Sequence, residues 1–400
     1  MALSIDTIQR SLRDAGVNGW LFYDFRRSNI IAWDILSLPT EAMTTRRWFY
    51  FIPGYGTPVK LVHAIEHWTL DALEGEKRIY SDWRSLHEHL KSILSGAKTV
   101  AMEYSPNADI PTVSCVDAGT IELVRSCGSG VISSGDLVQQ FQATWSDEQI
   151  QDNAAAARAM RKLVDETFAY IGDKLRAKEK VTEYDVQQFL LRGYAANKLT
   201  ADHPPMCSVN ANAALPHYVP SASEHTEIKR GDVVLLDFWA KPNKPNGTYV
   251  DITWMGAADS SVENIFGGEY LKVFNVVRDA RDASLTLVQE RFAQKEAVYG
   301  YEVDDASRNV IVKAGYGEFF IHRTGHSIYT EDHGRGANMD NYETRDARRI
   351  LPRTSFSIEP GIYLPGKFGV RSEIDVVILP DGAISVPCSP IQKEIICLLK

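Results

Sequence analysis

At 400 residues, the chain is long for one domain and comfortable for two. Its 44% apolar and 24% charged content is that of an ordinary soluble globular protein, and a net charge of −9 with a pI near 5.6 argues against a nucleic-acid or anionic-membrane surface. Five cysteines (Cys115, Cys127, Cys207, Cys388 and Cys397) are odd in number and lack CxxC spacing, so they read as reduced thiols, not a disulfide frame or a zinc site.

The N-terminal stretch MALSIDTIQRSLRDAG is polar and amphipathic, without the basic and apolar blocks of a secretory signal. No run approaches the ~18 apolar residues of a membrane helix. The expectation is a cytoplasmic protein with neither a membrane nor a nucleic-acid partner. In the first third, GWLFYDF (19–25), RWFYFIPG (47–54), PVKLVHAI (58–65) and KTVAMEY (98–104) read as strands, and SDWRSLHEHLKSIL (81–94) as a helix with a Ser-Asp start. This predicts a compact α/β domain over residues 1–140. A long Ala-rich helix follows over 146–175, opened by a capping box between Ser146 and Gln149, and a second helix starts in the same style at Thr182 and Asp185. Strands are expected in MCSVNAN, DVVLLDFWA and TYVDITWMG, helices over 266–294 and 302–314, then strands again in FFIHRTGHS, SFSIEPGIYL and FGVRSEIDVVIL. Runs of strand and runs of helix, not strict alternation, make the 146–400 domain α+β.

Four acids interrupt these apolar strands. Asp237 ends VVLLD, Asp251 lies in TYVDITWMG, Glu359 follows SFSI, and Glu373 sits in VRSEIDVVI. A carboxylate beside an apolar strand face needs a partner or a metal. The segment HRTGHSIYTEDHG adds His322, His326 and His333 within twelve residues. Four carboxylates balance two divalent cations in charge. An oxygen-rich set with one imidazole and no thiolate favours Mn²⁺, Co²⁺ or Zn²⁺. Spacing by itself does not bring the five residues together.

The ordered set LLD (Asp237), DIT (Asp251), HRTGH (His326), IEPG (Glu359) and RSE (Glu373) resembles the "pita-bread" metallopeptidases: prolidase, aminopeptidase P, methionine aminopeptidase and the related creatinase. The resemblance covers 146–400, and the N-terminal third looks like the extra domain that prolidase, aminopeptidase P and creatinase carry. It implies a pita-bread catalytic domain. Asp237, Asp251, His326, Glu359 and Glu373 would hold two divalent metal ions, Mn²⁺ being the expected one. It also implies a homodimer. His333 matches the family's catalytic histidine near the scissile bond. His217, in LPHYVP, matches a second one near the leaving proline. The implied reaction is hydrolysis of an Xaa-Pro bond. Glu359 would accept and return a proton, and Arg371 would orient a metal-binding carboxylate. His322 is expected to be a hydrogen-bonded structural histidine.

Which family member this is turns on TRDARRILP (344–352). Arg345 and Arg348 keep the prolidase spacing to Glu359, and the first arginine of that stretch clamps the substrate carboxylate in prolidase. The other reading is a basic surface loop. The expectation is therefore an Xaa-Pro dipeptidase, with two alternatives: an Xaa-Pro aminopeptidase on longer peptides, or a metal-free binding protein on the same fold. Two departures from the family pattern bear on the pocket: Ser327-Ile328-Tyr329 replaces small residues after HRTGH, and FWAKPNKPNGTYV is longer than usual.

Overall fold

The structure is a computed structural model that describes residues 4–39 and 44–400. The first three residues of the MALS stretch thus lie outside the described residues. The chain divides into two compact units, Met1–Gln142 and Ala143–Lys400.

The first unit is built on a six-stranded sheet. Its order across the sheet is Glu76–Tyr80, Val59–His63, Trp48–Pro53, Gly19–Asp24, Thr99–Met102, Gly130–Ser133. The Trp48–Pro53 strand runs antiparallel to both neighbours, and the other pairings are parallel. Alternation sorts the aromatic residues to two cores. Trp20 and Phe22 pack with Trp48, Tyr50 and Ile52 on one face, while Leu21 and Tyr23 pack with Phe49 and Phe51 on the other. Both faces are buried, so these strands read as continuous apolar runs.

The second unit begins with the helix Asp147–Arg176, whose Ser146–Gln149 capping box is present. Its face of Ala157, Met160, Val164 and Phe168 packs on Leu236, Phe238, Ile252 and Trp254. Those residues belong to the antiparallel pair Val233–Pro242 and Val250–Ala257. A second sheet joins Ser327–Ile328, Ser355–Ile358, Ile374–Ile378 and Ile384–Ser385. The long helices Glu269–Ala293 and Gly300–Lys313 complete the unit. Among the described residues, no helix is long and apolar enough to cross a membrane. All five cysteines are free.

One expected element is different. FFIHRTGHS is not a continuous strand, and only Ser327–Ile328 pairs as one. The backbone before it is satisfied piecemeal instead. Arg308 donates to the carbonyls of Phe320 and His322, and the Thr324 N–H donates to Asp304 Oδ1. Side chains from a neighbouring helix replace a ladder, which periodicity cannot reveal. Gly325 is required here, because a Cβ on it would lie 1.9 Å from the Ser357 carbonyl oxygen. That contact lets the next residue, His326, sit against the strand.

Candidate metal centre

In the pair Val233–Pro242 and Val250–Ala257, Asp237 stands opposite Thr253. Asp251 is two residues before Thr253, so the three side chains share one face. Val233, Leu235, Met255 and Ala257 on that same face fill an apolar core. Asp237 and Asp251 thus replace core residues at the end of an apolar stripe. Both are 5% exposed.

The other acids come from strand ends. Ile358 pairs with Ile374, so Glu359 and Glu373 stand one step beyond the last paired residues. Ser327 pairs with Phe356, which sets His326 beside Ser357. The His326 N–H donates to Ser357 Oγ at 3.0 Å, and Ser357 Oγ donates to Glu359 Oε1 at 3.1 Å. The two sheets are joined where the Glu373 N–H donates to the Thr253 carbonyl, at 3.3 Å, and Thr253 Oγ1 donates to Glu373 Oε2, at 2.7 Å. Arg371 donates through Nη2 to Asp237, through Nη1 to the Tyr363 hydroxyl at 2.8 Å, and through Nε to Thr253 Oγ1 at 3.3 Å.

These contacts converge. Donor atoms of Asp251, His326 and Glu373 all lie within 4.8 Å of one another. His326 Nε2 is 3.3 Å from Glu359 Oε1 and 3.8 Å from Asp251 Oδ2. Asp237 enters through its pairing with Arg371. Burial holds Asp251 and Glu373 well above the usual carboxylate range, and the neighbouring acids add to it. Burial also pushes Glu359 up to about 7, against the opposing pull of Arg371. His326 is driven well below its ordinary value by burial, with His333 adding to the effect, so its ring is neutral. Glu373 Oε1 is buried with no hydrogen-bond partner. A neutral imidazole, crowded carboxylates and an orphaned oxygen form a donor set that fits divalent cations.

The remaining predicted residues divide. The ring centroid of His333 is 4.2 Å from that of His326. His217 is exposed on its loop. His322 is held between the Arg323 carbonyl, 2.6 Å from Nδ1, and the Tyr363 hydroxyl, 2.8 Å from Nε2. Arg345 is exposed, with its guanidinium 4.7 Å over the Tyr301 ring, and among the described residues it makes no ion pair to the acid cluster. Arg348 is buried and bonds Asp346 at 2.9 and 2.5 Å and the Arg335 carbonyl at 2.8 Å. It shapes its own loop. The two departures noted in the sequence meet each other: the Tyr249 N–H, from the long hairpin, donates to the Tyr329 carbonyl at 2.9 Å. Tyr329 packs beside Trp145, Tyr249, Ile328 and Val377.

Two residues of the site escaped the sequence reading. Asp332 places a donor atom within 4.8 Å of those of His326 and His333, and its Oδ1 is buried without a partner. Burial raises it well above the usual carboxylate range, and Glu359, Asp237 and Asp202 reinforce the shift. In TEDHG it reads as a loop acid, with no apolar context to betray it. Arg323 is the cation whose charge reaches Glu359, Asp332, His326 and His333. The one signal for it was its place inside HRTGH.

Comparison with known proteins gives the family and the fold. Residues 154–380 match the model of metallopeptidase family M24. An uncharacterized peptidase of Staphylococcus saprophyticus is 27% identical over 259 residues, covering 63% of this chain and 66% of that protein, so the match spans just under two thirds of the relative's length. Dipeptidase PepE from Mycobacterium ulcerans superposes with a TM-score of 0.65 at 20% identity, over 98% of this chain and 96% of that one. The Xaa-Pro dipeptidase from Bacillus anthracis gives 0.59 at 21% identity, over 98% and 99%. The acids brought together by strand register and the family match over more than half the chain lead to one conclusion: the chain belongs to metallopeptidase family M24 and has its pita-bread fold.

Proposed function

We propose that the protein is a dinuclear-metal hydrolase that cleaves the Xaa-Pro bond of dipeptides. The observation that carries this reading is the convergence of Asp251, His326 and Glu373 donors within 4.8 Å, beside Glu359 and Asp237. These five residues would hold the two ions, with Mn²⁺ first and Co²⁺ or Zn²⁺ as alternatives. Bound divalent metal brings the pKa of water toward neutrality and polarises a carbonyl. Glu359, whose Oε1 lies 3.3 Å from His326 Nε2, would take a proton from the attacking water and return it to the leaving nitrogen. That return matters for an Xaa-Pro bond, whose nitrogen carries no hydrogen. His217 and His333 donate hydrogen bonds as negative charge develops on the carbonyl oxygen. Arg371 fixes the Asp237 carboxylate, as an outer partner of a metal ligand does.

A dipeptidase also needs a cation for the substrate's free carboxylate. Arg345 is the candidate by spacing, and Arg323 by its place inside HRTGH, three residues before His326. A second reading, an Xaa-Pro aminopeptidase on longer peptides, is favoured by one observation: Arg345 is stacked on Tyr301 and exposed. A metal-free binding protein is disfavoured, because no residue of the ligand set is missing. On the lead reading the protein acts as a cytoplasmic homodimer.

The test is proline release from Ala-Pro beside cleavage of Ala-Pro-Ala, with Mn²⁺ and with a chelator. Metal-dependent cleavage of the dipeptide alone supports the proposal. Equal or better cleavage of the tripeptide replaces it with the aminopeptidase. No cleavage despite bound metal rejects both.

A further inference from the structure

The segment from Val209, the last residue of the strand Met206–Val209, to Thr226 carries His217 and otherwise contains, as regular structure, only the short 3₁₀ turn Asn210–Ala214. Such a segment must find partners for its polar groups elsewhere. It finds them on one face of the helix Glu183–Ala196. Glu183 is 0% exposed. Its Oε1 accepts the Val209 N–H at 2.7 Å and Asn212 Nδ2 at 3.0 Å. Its Oε2 accepts the Tyr218 hydroxyl at 2.8 Å, the Thr226 N–H at 2.6 Å, and Asn212 Nδ2 again at 3.2 Å. One turn along the same face, Gln187 Nε2 donates to the carbonyls of Pro205 at 3.1 Å and Pro220 at 2.9 Å. The Glu183 N–H donates to the Thr226 carbonyl at 3.0 Å. One carboxylate therefore ties the start of the loop, its end, and the residue next to His217.

An acid in the first turn of a helix is favourable on any protein surface, which does not explain this one. Burying a carboxylate is costly unless donors offset it, and the donors here all come from this loop, whose start is also held where Asn210 Nδ2 donates to Asp232 Oδ1 at 2.7 Å. An amide could not substitute, because it offers one acceptor oxygen where the carboxylate offers two.

We propose that Glu183 is the positioning residue for His217, holding the 209–226 loop so that the imidazole stays within reach of the reacting carbonyl. This rests on the reading of His217 as a substrate-binding residue. The experiment is a double-mutant cycle on metal-loaded protein with the Xaa-Pro peptide that it cleaves, together with hydrogen exchange over residues 209–226. Glu183→Gln is expected to lower kcat/KM by about 10- to 100-fold at unchanged metal content. In a His217→Ala background the same substitution is expected to change kcat/KM by less than about twofold, because the group it positions is gone. Hydrogen exchange should quicken across 209–226 in Glu183→Gln and stay as in wild type in His217→Ala.

A full Glu183→Gln loss that persists without His217 overturns the proposal, as does an unchanged kcat/KM or unchanged exchange. A normal kcat/KM for His217→Ala alone overturns the His217 reading itself, separately. If Glu183→Gln does not fold, Tyr218→Phe removes the one donor beside His217. It should give a smaller loss that also vanishes in the His217→Ala background, and a loss that remains there overturns the proposal. If the wild type cleaves no peptide, the exchange data alone decide whether Glu183 holds the loop.

Discussion

Glu103 in the first unit and Glu373 in the second are both fully buried acids, 0% and 2% exposed, and burial raises both above the usual carboxylate range. Their partners differ. Glu103 accepts from Trp20 Nε1 at 2.6 Å, Asn29 Nδ2 at 2.7 Å and Ser134 Oγ at 3.1 Å, so both of its oxygens are satisfied by neutral donors. Glu373 has Thr253 on one oxygen and nothing on the other, with Glu359 and Asp237 as charged neighbours. The first is a structural acid that ties strand to helix. The second is crowded with acids, short of donors, and fit for a cation. Burial alone does not separate the two; the supply of donors does.

The comparison breaks most readily at Asp251. Asp251→Asn should abolish metal binding and cut activity by more than about two orders of magnitude, with circular dichroism unchanged. Full activity in that variant would make the cluster another structural network.

Removing the metal probes the same contrast through pH. Glu359, at about 7 against an ordinary 4.5, keeps a proton in the folded chain that the unfolded chain has already lost. The metal-free protein should therefore lose stability as pH rises through that window, by roughly 3 kcal/mol from Glu359 alone, with Asp251 and Glu373, also raised, adding in the same direction. Melting curves with and without chelator from about pH 5 to 8 check this. Mn²⁺ should raise Tm most at the alkaline end. A metal effect independent of pH would show that the carboxylates are not competing with protons for the ion.

Glu103→Ala should do the opposite of Asp251→Asn. Stability should fall by about 1–3 kcal/mol for each donor left without an acceptor, while metal content and activity per folded molecule stay constant. Denaturant unfolding beside metal analysis decides it, and lost metal would erase the distinction between the two acids.

The finest division concerns cations. Truncating the arginine that clamps the substrate carboxylate should cost roughly 1.5–3 kcal/mol, seen mainly in KM for Ala-Pro. Arg345→Ala and Arg323→Ala, assayed side by side, assign that role. Unchanged KM and kcat in both would remove the clamp and favour the aminopeptidase.

How much of this was readable in advance follows from locality. Both capping boxes, at Ser146–Gln149 and Thr182–Asp185, are present where the spacing puts them, because a cap involves residues three apart. Asp237, Asp251, Glu359 and Glu373 were legible because each violates an apolar alternation, and a violated pattern is a local signal. The HRTGHS stretch misled the strand reading, since its backbone is satisfied by Arg308, Asp304 and Ser357 from elsewhere in the chain.

The sequence by itself therefore determined the family, the five candidate ligands and the helices that frame them, all of which reside in residue type and short spacing. Tertiary structure decided the rest. The pairing of Asp237 with Thr253 and the step from Ile358–Ile374 to Glu359 and Glu373 make four distant acids neighbours. The stacking of Arg345 on Tyr301 and the arrival of Asp332 and Arg323 at the site depend on contacts between segments far apart in the chain. So does the grip of Glu183 on the His217 loop. Such contacts carry no periodicity, and only folding brings their partners together.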